Sequence, residues 1–154
     1  MNEQRIFQVI YIRTSLIALW DALTNPDVTK RYWFDTRIDS DWKTGSKVQY
    51  LRNGELTDEH VILAIEKHHY PSHTFKHLLG DFQTEPLSRV TFTMEENGGV
   101  VRLTIVHDSF PPECKVFRAC SDGWPMILCN LKTLLETGTP FPAFTFSPQV
   151  ARFQ

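Results

Sequence analysis

Val101-Arg102-Leu103-Thr104-Ile105-Val106-His107-Asp108 runs through Phe110-Pro111-Pro112 into a long helical pattern centred on Gly123-Trp124, which closes at Leu134-Leu135-Glu136-Thr137-Gly138. The first segment is β-branched and alternating, the pattern of a strand. The second places Phe117, Cys120, Trp124, Ile127, Leu128, Leu131, Leu134 and Leu135 on one stripe, the pattern of a helix with one buried face. A last strand feeding one long, one-faced helix is an architecture for enclosing something between helix and sheet. No catalytic signature accompanies it, so the expectation is binding in a cavity.

The helix is expected from Glu113 to Glu136. Gly138 suits the position just past its end, and Pro140 stops any continuation. Pro125 cannot donate to the carbonyl four residues back, which predicts a kink near Ser121-Asp122.

Working outward, Asn97-Gly98-Gly99 is a hairpin signal that pairs the closing strand with Leu87 to Glu95. Further back, His73 to Leu79 and His60 to His69 read as strands separated by a turn at Tyr70-Pro71-Ser72, with Val61, Leu63 and Ile65 on one face. Asn53-Gly54 is a second hairpin turn, preceded by Ser46 to Arg52 with Val48 and Tyr50 on one face. Thr36 to Ser40 is another short strand, and Arg5 to Ile12 is the first. Between these two, Thr14 and Ser15 can cap a helix carrying Leu16, Leu19, Trp20 and Leu23. Asn25-Pro26 ends it and opens a second short helix toward Arg31, after which Tyr32-Trp33-Phe34 forms an aromatic knot. Tight hairpins imply antiparallel pairing, and segregated helices imply an α+β fold.

The chain has 154 residues, a formal net charge of -2 and 42% apolar residues. That suits one domain with one core. The charge balance gives no reason to expect nucleic acid, whose phosphates need a basic patch. The apolar runs are too short for a membrane span. Met1-Asn2-Glu3-Gln4-Arg5 lacks the apolar core of a signal peptide, so a cytoplasmic location is expected. Cys114, Cys120 and Cys129 fall on or near one helix, with Cys120 and Cys129 on opposite faces at about 100° per residue. Neither a disulfide nor a zinc site follows, and reduced thiols fit that location.

His68, His69, His73 and His77 invite a metal test. In a strand His73 and His77 would share a face but stand ~13 Å apart, at ~3.3 Å per residue. That is too far for one ion with imidazole bonds of ~2.0–2.1 Å. No metal and no cofactor is implied; strand-end or solvated histidines are the expectation. His107 is in phase with Leu103 and Ile105, so it should point toward the helix or a cavity mouth. There it either hydrogen-bonds a ligand or acts as a general base, or it is a buried histidine satisfied by backbone or Asp108. Trp124 either packs the core or forms a wall, and Gly123 leaves room for close approach or for a ligand. Trp33, Phe34, Phe75, Phe92, Phe110 and Leu128 complete the candidate ligand-binding wall, each with core packing as the alternative. No Ser-His-Asp order, phosphate loop or CxxC motif is present.

Several local motifs occur in a telling order. They are Ala18 through Pro26 with Tyr32-Trp33-Phe34, Pro86 through Phe92, Gly99 through Thr104, His107, and Gly123-Trp124 with Leu131-Lys132. This set resembles the SRPBCC, or START-like, helix-grip superfamily, and within it the family named for homology to the activator of heat-shock protein 90 ATPase. The resemblance covers about residues 5–138. It implies a curved antiparallel sheet wrapped around the C-terminal helix, two short helices after the first strand, and an internal pocket for an apolar or aromatic small molecule. It does not fix a reaction. Pro125, His68-His69-Tyr70-Pro71 and an aromatic tail beyond Gly138 depart from the family pattern. Residues 1–138 are thus expected to form one helix-grip domain and residues 139–154 an extended tail.

Three functions follow as expectations. The first is binding of a small hydrophobic or aromatic molecule between sheet and helix, with no assured catalysis. A filled core with no cavity above a few water volumes would sink the expectation of a preformed pocket. The second is a cyclase or hydratase type of enzyme using His107 as acid or base. The third is an interaction module, either a chaperone cofactor or a homodimer built on the aromatic tail.

Overall fold

The computed structural model describes residues 4–142. The order is β1 (Ile6–Arg13), α1 (Leu16–Thr24), α2 (Pro26–Tyr32), β2 (Thr36–Ser40), β3 (Lys47–Arg52), β4 (Glu55–Glu66), β5 (Tyr70–Phe75), β6 (Ser88–Asn97), β7 (Val100–Asp108) and α3 (Lys115–Thr137), with a 3-10 helix at Gly80–Thr84. The seven strands form one antiparallel sheet in the order β1-β7-β6-β5-β4-β3-β2.

Local chemistry sets these boundaries. Asn53-Gly54 and Gly98-Gly99 both take positive φ, as two-residue hairpin loops whose twist matches the flanking strands require. Ser15 Oγ accepts from the Ala18 amide at 3.0 Å and opens α1. Asn25 Oδ1 accepts from the Asp27 amide at 3.0 Å, and Pro26 takes the first helical position of α2. Gly138 closes α3 at φ 82, while α3 runs through Pro125 as one element.

Two expectations change. Tyr70-Pro71-Ser72 is not a turn but the start of β5; the reversal lies at residues 67–69, where His68 adopts φ 69. Pro71 stands opposite Ile65 of β4, and the continuous pairing of β5 with β6 starts at Ser72, so the proline sits at the beginning of the strand, where it is tolerated. β4 begins at Glu55 rather than His60, and Val61 and Leu63 lie on its solvent side. The buried face of β4 carries Asp58, His60 and Ile62, two polar residues that conceal it from a hydrophobicity pattern.

Ile12, Leu19, Leu103, Ile105 and Leu131 are fully buried where α1 and α3 meet the sheet. Each such side chain stabilises the fold by about 1.5–3 kcal/mol through water exclusion. β1 is an open edge of the sheet, and α3 covers it with charge: Lys132 Nζ donates to the Tyr11 carbonyl at 2.6 Å, and Glu136 accepts from the Arg13 amide at 2.8 Å. The first turn of α3 is held by Glu85, thirty residues upstream of Lys115, whose carboxylate accepts from the Lys115 and Val116 amides at 2.7 and 3.0 Å. The three cysteines are free thiols. Among the described residues no helix is long and apolar enough to cross a membrane. Residues 143–154, most of the expected tail and the part proposed for dimerisation, lie outside the described residues.

Candidate functional site

Strand phase brings three imidazoles into the interior. His60 on β4, His73 on β5 and His107 on β7 are all buried. Phe75 joins them, with its ring centroid 4.7 Å from that of His60 and 4.8 Å from that of His107. The rings of His60 and His73 stack at 4.9 Å with 15° between planes. Burial holds all three below the ordinary histidine range: His73 is pushed down to about 4 and His107 to about 3, and His60 falls well below its usual value. They are therefore neutral at pH 7, and their tautomers follow from their partners.

His107 is satisfied within the protein. The Trp124 indole N–H donates to His107 Nδ1 at 3.1 Å, so the ring proton must sit on Nε2, which donates to Ser88 Oγ at 2.8 Å. The bonding is that of a buried structural histidine, with Ser88 and Trp124 as partners where sequence reasoning pointed to backbone or Asp108. In this arrangement neither nitrogen is free for a ligand. Asp108 instead takes a two-pronged ion pair from Arg89 at 2.8 and 3.0 Å.

His60 is different. Its Nδ1 accepts from the Lys76 amide at 2.9 Å, which leaves the proton on Nε2. That N–H is buried and has no hydrogen-bond partner among the described residues. An unmet buried donor costs about 1–3 kcal/mol. Beside it, His73 Nδ1 donates to the Thr74 carbonyl at 2.6 Å, so His73 Nε2 presents a lone pair. Sequence reasoning found His107 and treated His73 only as a potential metal ligand. The signal for His60 was its place two residues before Ile62, in phase with the buried side of β4.

Of the residues read as a candidate wall, Trp33 and Phe92 line a small interior space together with Trp42, Tyr50 and His73. Its volume is about 20 Å³, enough for about one water. Trp33 packs edge-on against Tyr50 and Trp124, both at 5.6 Å. Phe110 lies against His107 at 4.3 Å, and Leu128 is buried in the core. Phe34 is exposed, turned outward by its φ of 49. The aromatic residues expected to bound a cavity thus largely fill it, and the open pocket expected between sheet and helix is not formed among the described residues. Among the described residues no three His, Cys, Asp or Glu converge as a metal ion would require. His77 instead bonds Asp58 at 2.7 Å, and His68 packs against Trp20. Burial and the nearby Asp58 push the Cys120 thiol far up, out of the reactive range.

An antiparallel half-barrel curled against three helices, the last of them long and C-terminal, with an aromatic and imidazole interior, defines a protein of the START-like helix-grip class. The sequence matches the model of the Activator of Hsp90 ATPase homolog 1-like protein family over residues 13–136, and the chain belongs to that family. No curated protein matches the sequence. Among solved structures, CalU16 from Micromonospora echinospora is 19% identical with a TM-score of 0.71, over 91% of this chain and 78% of that one. The Aha1 dimer from Colwellia psychrerythraea is also 19% identical with a TM-score of 0.71, over 88% of this chain and 98% of that one. PFC0360w, an HSP90 activator from Plasmodium falciparum, is 20% identical with a TM-score of 0.72, over 85% and 95%. At these identities the likeness extends to the fold.

Proposed function

We propose that this protein binds a small hydrophobic or aromatic molecule between the sheet and the helices. One observation carries the reading: a buried, unpartnered His60 N–H sits among aromatic rings, next to His73, which lines an interior space. A core built for packing alone gains nothing from a donor left without an acceptor. The interior space of about 20 Å³ fails the test set for a preformed pocket. The proposed site therefore opens only when aromatic side chains move aside, since a drug-sized ligand needs roughly 300 Å³ or more. Catalysis by His107 is the weaker reading, since Ser88 and Trp124 occupy both of its nitrogens. A titration with a panel of uncharged aromatic compounds, followed by amide chemical shifts, tests the reading. Saturable shifts at Trp33, His73 and Phe92 are expected; a panel that shifts surface residues alone would refute it.

A second reading has its own observation. Phe7, Val9 and Tyr11 form an exposed stripe on the outer face of β1. A contiguous apolar face of this kind marks association surfaces. It supports an interaction module, in keeping with a structural relative described as a dimer and another described as an HSP90 activator. Sedimentation at rising concentration tests the homodimer: a constant monomer mass removes it, as an unchanged chaperone ATPase rate removes the cofactor version.

A further inference from the structure

We infer that the open half of the β1 edge pairs with the same strand of a second copy of this chain, antiparallel about a two-fold axis at Phe7. The inference rests on the interaction-module reading above and gives it a partner and a register. In an antiparallel ladder every second residue turns its N–H and C=O toward the neighbouring strand, and the residues between turn theirs away. On β1 the outward set is odd-numbered, since the Tyr11 carbonyl and the Arg13 amide bond side chains of α3. Phe7 and Val9 belong to the same set. Among the described residues nothing bonds their N–H or C=O on the open side. The fold guards its edges elsewhere. Lys132 and Glu136 cover β1 at Tyr11 and Arg13, and on β2, the other edge, the Ile38 amide donates to Thr29 Oγ1 at 3.0 Å. A bare edge is a template for another strand, and proteins cover or charge the edges they do not use. Here the bare stretch instead carries exposed apolar side chains, Phe7 and Val9.

Charge selects the occupant and its register. An axis at Phe7 sets Phe7 against the partner's Phe7 and Val9 against the partner's Arg5, so both residues' N–H and C=O are bonded. The two Phe7 rings then meet on the outer face as a cross-strand aromatic pair. Each Arg5, whose guanidinium lies 5.7 Å from its own Phe7 ring, faces an apolar residue. An axis at Gln8 would bring the partner's Arg5 onto Tyr11, beside Lys132. An axis at Val9 would bring it onto Arg13. Both place like charges together, which destabilises a strand pair. Glu136 does not relieve this, because Lys132 and the Arg13 amide already engage it. So short a pairing stays below the ~1,200 Å² of stable interfaces, and the dimer is weak and concentration-dependent.

The test follows the mass of the 154-residue chain by sedimentation equilibrium at rising concentration, together with amide exchange at Phe7 and Val9. A dimer is expected, with both amides gaining protection as it forms while Ile38 stays unchanged. Phe7→Lys and Phe7→Glu should each associate at least ~5-fold more weakly than the parent chain, through like charges set face to face. An equimolar mixture of the two should recover at least ~5-fold, because the position faces itself across the axis. A mixture of Phe7→Lys with Val9→Glu should recover less. If it recovers more, the axis lies at Gln8 and the register is overturned. If the dimer forms without protecting Phe7 and Val9, or Phe7→Lys leaves it intact, the edge is overturned while the homodimer reading stands. Protection of both amides in a monomer would mean that the chain covers its own edge, and overturns the second-copy assignment. A monomer at every concentration with both amides unprotected removes the edge and the homodimer together, and leaves the chaperone version to its own ATPase test.

Discussion

At the scale of single residues, the interior is decided by where protons sit on imidazoles. His107 is locked by an indole donor on one side and a serine acceptor on the other. Ser88→Ala removes that acceptor and leaves a buried N–H unmet. The expected loss is about 1–3 kcal/mol of stability, read as a lower urea midpoint at constant m-value. An unchanged midpoint would mean that the proton sits elsewhere. His107 was legible from the sequence because it continues the Leu103, Ile105 phase of an apolar strand. His60 was not, because its neighbours on the buried face of β4 include Asp58, and a half-polar face carries no hydrophobic rhythm.

At the scale of elements, α3 depends on a partner the sequence does not advertise. Cys114 precedes the helix and its side chain does not cap it, so Glu85 supplies the acceptor from the segment between β5 and β6. Burial works to raise the Glu85 carboxyl, but the hydrogen bond from the Cys114 thiol together with those from the Lys115 and Val116 amides holds it below its ordinary range. Glu85→Ala should cost about 0.5–2 kcal/mol, as the loss of a helix cap does. Amide exchange should quicken in the first turn of α3 and not in its last. Hairpins and caps were readable because their cues are local: Asn53-Gly54, Ser15 and Asn25-Pro26 each act within a few residues. The turn at residues 67–69 was misplaced because Pro71 mimics a breaker, while the true reversal rests on the positive φ of His68.

At the scale of the molecule, three neutral buried histidines make stability sensitive to mild acid. Their folded values lie below the unfolded value of ~6.5, so the unfolded chain takes up protons that the folded chain refuses. Stability is therefore complete above about pH 6.5 and falls as the pH drops toward about 4, where His73 titrates in the fold, and about 3 for His107. Each histidine contributes a slope of at most about 1.4 kcal/mol per pH unit. Urea midpoints between pH 7 and 5 isolate this contribution, because carboxylates titrate lower; a flat profile across that window would contradict the buried neutral assignment. The overall architecture was legible in the order of strands and helices. The near-filled interior was not, because aromatic residues that line a cavity and those that fill one have the same composition.

The central claim is that a small aromatic molecule enters between the sheet and the helices. Intermolecular nuclear Overhauser contacts between an uncharged aromatic probe, p-cresol, and the protein test it most directly. Contacts to the rings of His73, Trp33 and Phe92 are predicted. Contacts confined to Phe7, Val9 and Tyr11 on the outer face, or none at saturating p-cresol, would contradict it.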